Sequence, residues 1–328
     1  MLLRLRELAV AFDDGDHRTD VLHHIDVTIR KGEALGLVGE SGCGKSVTWL
    51  AALRLLGRRA QISGQVLFED VDLLKLDERA LSSVRGRRIA MIFQDPASSL
   101  NPLHRVGAQI SEALKLHRDL EGAAAQAEAG RLLDRVGIAD SRRRLQQYPH
   151  ELSGGMNQRV MIAMALAGQP DLLIADEPTT ALDTTVQAQI LDLIRQIRAD
   201  TGMALVLISH DFGVVAELCD RILVMQAGRI VEDAAADDLF DAPQHPYTRS
   251  LLASLPEFDP PQELVPDAVA ARPLPVDPPL VVPASGAALA LRSDPLFEES
   301  RRRLPDLAEP AGGRTAARQR LRVADGQD

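Results

Sequence analysis

The stretch "EALGLVGESGCGKS", residues 33–46, runs an apolar segment of strand character straight into a glycine-rich turn ending on Lys45 and Ser46. Gly39 to Ser46 fit the spacing GxxxxGKS, and helical periodicity begins at Lys45, the strand–turn–helix context this phosphate-binding pattern requires. Gly39, Gly42 and Gly44 let the backbone N–H groups of a loop that also holds Glu40, Ser41 and Cys43 close on an anion, and the helix N-terminus adds positive potential. Lys45 can neutralise the β- and γ-phosphates, and the Ser46 hydroxyl can ligate Mg²⁺. By itself the pattern says nucleoside triphosphate and no more, because GTPases, small-molecule kinases and motors share it.

Outward from this loop, short β-type runs alternate with helical stretches as far as about Leu255. Strands are expected at 33–39, 88–94, 171–177 and 203–209, with a hairpin over 221–232 turning around Ala227 and Gly228. Helical periodicity fits 45–56, 105–117, 123–136, 157–167, 185–199 and 212–218. Several strands are almost wholly apolar, as parallel strands covered on both faces are, so the expectation is an α/β domain with helices on both sides of a mainly parallel sheet. The opening "MLLRLRELAVAF" alternates apolar and charged residues, which suits an amphipathic strand better than a signal peptide. After Leu255 the character changes. Twelve of the 19 prolines fall among residues 256–328, a composition that favours extended or disordered chain.

"DLLIADEP", residues 171–178, is an apolar strand ending in two carboxylates. Asp176 would hold Mg²⁺, and Glu177 can polarise the water that attacks a γ-phosphorus. A solvated turn is the bland alternative for "DE" alone. "ELSGGMNQRV", residues 151–160, sets Ser153, Gly154 and Gly155 ahead of a helix with no lysine, so it can complete an anion site but would bind weakly alone. The formal net charge of −10 gives no global reason to hold nucleic acid, and the runs Arg142–Arg144 and Arg301–Arg303 read as solvated faces. Two cysteines, Cys43 and Cys219, are too few for a disulfide framework or a four-ligand metal site. Cys43 reads as a small filler or as a thiol whose pKa the helix N-terminus lowers.

With "LSGGM" upstream of "LLIADEP" and one helix between them, the chain resembles the ATP-binding subunits of the ATP-binding cassette (ABC) family. The resemblance implies an ABC-type P-loop NTPase cassette, with a mixed sheet core and a helical subdomain at about 97–165, filling residues 1–255 ahead of a Pro-rich extension at 256–328. It also implies roles. Ser153, Gly154 and Gly155 would meet the nucleotide of a partner chain in a head-to-tail pair. Gln94 of "MIFQDP" would reach Mg²⁺ or the attacking water, His210 of "ISHD" would touch the γ-phosphate, and Asp183 of "ALD" would face the other protomer. Mg²⁺ would be held by Ser46, Gln94 and Asp176. Taken singly, Gln94 also reads as a loop amide, His210 as a capped surface histidine and Asp183 as a helix N-cap. Phe12 lies where the family stacks an aromatic on adenine, and reads almost as well as a core residue of an edge strand.

The wording between motifs, "RIAMIFQDPASSLNP" and above all "HPYTRSLLASLP" at 245–256, is similar to the ATPase subunits of bacterial dipeptide, oligopeptide and nickel importers. That branch implies a peripheral protein on the cytoplasmic face of the inner membrane. Its partners would be two permease subunits, an extracytoplasmic solute-binding protein acting indirectly, and a second ATPase subunit in a heterodimer, a homodimer being the alternative. The cofactors expected are ATP and Mg²⁺. Some members carry a cysteine-bearing segment associated with an iron–sulfur cluster, but no cysteine follows Cys219, so no cluster is expected; nor is a nucleic-acid partner. Di- or oligopeptides are the first expectation for cargo, with nickel or another small solute second. The rivals are a cytosolic ABC protein acting on ribosomes or DNA, an exporter ATPase and a catalytically silent subunit.

Overall fold

The computed structural model describes residues 1–254 except 14, 16, 96–98 and 181; the expected extension at 256–328 lies outside them. Two sheets form the body. A six-stranded sheet has the order β10-β9-β3-β8-β7-β6, built from β3 (Ala34–Val38), β6 (Ile89–Ile92), β7 (Leu172–Asp176), β8 (Ala204–Ile208), β9 (Arg221–Gln226) and β10 (Arg229–Ala235). All its pairings are parallel except the β9–β10 hairpin. A four-stranded antiparallel sheet has the order β2-β1-β4-β5, with β1 (Leu3–Asp13), β2 (Arg18–Ile29), β4 (Ala60–Phe68) and β5 (Val71–Asp72).

The all-apolar runs now have a cause. Leu172, Ile174, Val206 and Ile208 turn to a core shared with the antiparallel sheet and Trp49, whereas Leu173, Ala175, Leu205 and Leu207 turn to a second core of helices. A strand covered on both faces has no solvent side to carry polar residues. Turns close where backbone chemistry allows: Ala227 and Gly228 both have left-handed φ, 44° and 72°, as a two-residue hairpin requires.

The helices are α1 (Lys45–Ala52), α2 (Glu78–Val84), α3 (Val106–Arg118), α4 (Gly122–Arg135), α5 (Ser141–Arg144), α6 (Gly154–Leu166), α7 (Thr184–Thr201), α8 (Phe212–Leu218), α9 (Ala236–Asp241) and α10 (Pro246–Ala253). Helices α3, α4 and α6 pack through Val106, Ile110 and Leu114, through Ala129, Leu132 and Leu133, and through Val160 and Ala163, the i, i+3, i+4 rows of a helix bundle. Helix α1 is shorter than the 45–56 expected. Arg54 takes a left-handed φ of 52°, and its guanidinium donates to the Leu76 carbonyl and to Glu78, so the chain turns off into β4. Helix α6 instead starts three residues before the expected 157, because the Ser153 hydroxyl accepts from the Met156 N–H and caps the glycines into the first turn.

Candidate active site

The phosphate loop spans the gap from Val38 at the end of β3 to Lys45 at the start of α1, and its glycines are there for stated reasons. At Gly39 (φ 152°) an added Cβ would meet the Met225 carbonyl oxygen at 2.2 Å; Gly44 is the left-handed N-cap of α1 (φ 108°). The loop is tied at both limbs: the Gly228 N–H donates to the Cys43 carbonyl (2.9 Å), and the Glu40 N–H to the Tyr247 hydroxyl (3.2 Å). Lys45 is buried, and its ammonium donates to the carbonyls of Gly39 and Glu40, each at 2.8 Å. It also lies 4.0 Å from the Cys43 sulfur, so all its partners are neutral, and charged phosphate oxygens can displace them. Cys43 is a buried filler: burial pushes its thiol up, outweighing the pull of Lys45, so the lowered pKa considered from the helix N-terminus does not arise.

Asp176 ends β7 beside this loop. It is 6% exposed, and burial first, then the neighbouring Glu177 charge, push its carboxyl up to about 6 against the opposing hydrogen bond from Ser46 and the charge of Lys45. A buried carboxyl held part-protonated beside a hydroxyl is short of positive charge. Its carboxylate and the Ser46 hydroxyl are oxygen donors that fit a hard cation such as Mg²⁺. Among the described residues no group of three or more His, Cys, Asp or Glu gathers as an all-protein metal cage.

Glu177 takes a left-handed φ of 46°, an unusual backbone for a non-glycine residue, and such strain gathers at functional sites. Its carboxylate accepts from Gln94 Nε2 and from Thr180 Oγ1, both at 2.8 Å, while His210 Nδ1 lies 3.5 Å away. Gln94 follows β6 and His210 follows β8, the strands on either side of β7, so parallel neighbours deliver two side chains to one carboxylate and the segment after β7 adds Thr180.

The remaining expected residues lie apart from this cluster. Ser153 and Gly154 are exposed at the N-terminus of α6, and among the described residues Ser153 bonds only to Met156 and Asn157 of its own first turn. An added Cβ at Gly155 would meet Val186 of α7 at 2.6 Å. Asp183 is exposed and caps α7 by accepting from the Val186 N–H. Phe12 is half-buried on β1, between Thr19 and Ala60, against the core shared by the two sheets. Sequence reasoning missed Thr180 and Tyr247. Thr180 carries no signal beyond its neighbourhood to "DE", whereas Tyr247 sits in "HPYT", a segment singled out with no chemical role attached.

Residues 22–180 match the family model for ABC transporters, and residues 231–279 match the model for the C-terminal region of oligopeptide/dipeptide transporters. The chain is 54% identical over 259 residues to a probable peptide ABC transporter ATP-binding protein, y4tR, of Sinorhizobium fredii, covering 78% of this chain and 77% of that one. It is 49% identical to the oligopeptide transport ATP-binding protein OppD of Salmonella typhimurium, over 79% of this chain and 77% of the relative. Among solved structures it resembles a dimeric post-hydrolysis state of the ATP-binding cassette MJ0796 bound to ADP and Pi. That match has a TM-score of 0.64 at 25% identity and covers 72% of this chain and 99% of that one.

Proposed function

The chain belongs to the ABC transporter family, and from that premise we propose that it is the ATP-hydrolysing subunit powering a membrane importer of di- and oligopeptides. The observation that carries the chemistry is the Glu177 carboxylate, one residue past the buried Asp176 and held by Gln94, Thr180 and His210 at the mouth of the phosphate loop. The phosphates of ATP take backbone N–H groups of the loop at residues 39–46, those at the start of α1 above all, and Lys45 moves from the Gly39 and Glu40 carbonyls to the β- and γ-phosphates. Ser46, Asp176 and Gln94 would hold Mg²⁺, which when bound neutralises developing charge on the phosphate oxygens. Glu177 accepts the proton of the attacking water, Gln94 orients that water, and His210 steadies the γ-phosphate. Phe12 stacks on adenine.

Ser153, Gly154 and Gly155 complete the site of a second cassette, with Asp183 facing that protomer. What supports this is their exposure at a helix start bonded only within itself. Closure of two cassettes excludes water and aligns the nucleophile; hydrolysis reopens them, and movement around residues 94–102 passes the cycle to two permease subunits. A sister ATPase subunit is the favoured partner, and a solute-binding protein supplies the cargo. The cassette occupies residues 1–255, with its helical subdomain at about 97–165 and the extension at 256–328. No helix among the described residues is long and apolar enough to cross a membrane. The likeness to peptide-importer ATP-binding subunits supports a peripheral place on the cytoplasmic face of the inner membrane, through its permeases.

Tagged Glu177→Gln protein, purified from detergent-solubilised native membranes in ATP, tests this. The expected result is hydrolysis reduced by about 10²–10⁴-fold with ATP still bound, and recovery of two polytopic permeases and a second cassette subunit. Wild-type hydrolysis would remove Glu177 as the base, and recovery of ribosomes or nucleic-acid enzymes would overturn the transport assignment.

A further inference from the structure

The segment "HPYT", residues 245–248, has so far had no chemical role. Its first members build the start of α10: His245 Nδ1 accepts from the Tyr247 N–H at 3.2 Å, and Pro246 sits where a helix start lacks a use for an N–H. The turn is seated on β10, because the Glu232 carboxylate accepts from the N–H groups of Gln244 (2.7 Å) and His245 (3.0 Å). Thr248 and Leu252 bury the inner face of the helix completely. Tyr247 is thereby aimed across 207 sequence positions at the phosphate loop, where its hydroxyl accepts from the Glu40 N–H at 3.2 Å. On its carbonyl side Glu40 accepts from Lys45 Nζ at 2.8 Å, so its backbone is gripped at both ends.

We propose that Tyr247 is a positioning residue for the phosphate loop: its hydroxyl holds the leading limb at Glu40, so that nucleotide affinity depends on how α10 is seated. This rests on the nucleotide-site reading above. The trailing limb is held separately, by the Gly228 N–H on the Cys43 carbonyl, so the stretch from Gly228 to Tyr247 clasps the loop from both sides. Tyr247 takes one N–H of the loop, that of Glu40, and leaves the amides of residues 44–46, at the start of α1, to the phosphates. Holding the loop open before the nucleotide arrives removes ordering cost from binding, an effect on affinity and not on the chemical step.

The test is Tyr247→Phe in the full chain, purified within its membrane assembly, because this change removes one oxygen and keeps the ring. The expected result is an ATP KM raised about 3- to 10-fold, the range for one neutral hydrogen bond. kcat should stay within about twofold, and the unfolding midpoint without nucleotide within about 2 °C. An unchanged KM, or a fall in kcat with KM unchanged, would overturn the positioning role. A lowered midpoint with a matching loss of active protein would make Tyr247 merely structural and overturn it too. Lys45→Ala, run alongside, separates the two claims: ATP binding retained there would sink the nucleotide site itself, while binding lost there with Tyr247→Phe unaffected would sink only this inference.

Discussion

Two glycine-rich turns, each at the start of a helix, differ in what the rest of the chain does with them. The turn at residues 39–46 is surrounded: Lys45 is bonded to its carbonyls, Gly228 and Tyr247 hold its limbs, and Ser46 donates to Asp176. The turn at 153–155 is capped by its own serine and exposed at Ser153 and Gly154, with Gly155 half-buried against Val186. A donor-rich helix start that its own fold does not use is half a site. On the proposed function, one chain of this kind holds the groups that act on ATP, and the enclosure for the reaction would come from a second cassette.

The sharpest way to break that contrast is Ser153→Arg. Within the membrane assembly it should lower ATPase turnover by about 10²-fold, while the isolated chain binds ATP within about twofold of wild type; loss of both would mean that residues 153–155 serve their own chain's nucleotide.

A second test lies in the surrounded turn. Asp176 has a folded-state pKa of about 6, raised from 3.8, so the folded chain binds more protons than the unfolded chain between those values. Stability therefore falls as pH rises through that window, and the cost is fully present above about pH 6, at up to roughly 3 kcal/mol. Asp176→Asn should stabilise the nucleotide-free chain in denaturant melts at pH 7.5, with the gain shrinking toward pH 5. Added Mg²⁺ with ATP should stabilise the wild type more than this variant.

The glycines of the exposed turn separate packing from function. Gly155→Ala drives a methyl into Val186 and should cost about 1–3 kcal/mol of stability. Gly154→Ala, whose Cβ would lie 3.8 Å from the nearest side-chain atom, should leave the denaturation midpoint near wild type. The smallest effect expected on turnover is for Thr180→Val. It removes one of the donors on Glu177 and should lower turnover about 5-fold with ATP KM unchanged.

Much of this was legible in the sequence where one cause acts alone. Strands β3, β7 and β8 are apolar up to the last residue of β7 because both faces are covered, and Asp176 and Glu177 announce themselves at a strand end, Lys45 at a helix start. The resemblance to ABC ATP-binding subunits read from "LSGGM" and "LLIADEP" agrees with the family the comparisons give. The antiparallel sheet was mostly illegible beyond β1. Strand β4, with Gly64 inside it, carries too weak a pattern to stand out. The tie between Tyr247 and Glu40 was out of reach for another reason: a contact across 207 positions leaves no local period to read.

The most direct test of the account is ATPase turnover per chain, measured at dilutions where sedimentation shows the protein to be monomeric and again in the purified membrane assembly. The account predicts monomer turnover at least about 10²-fold lower, because the exposed turn at 153–155 has no nucleotide to close on. Equal turnover per chain in the two states would contradict it, and would mean that the surrounded turn is a complete active site by itself.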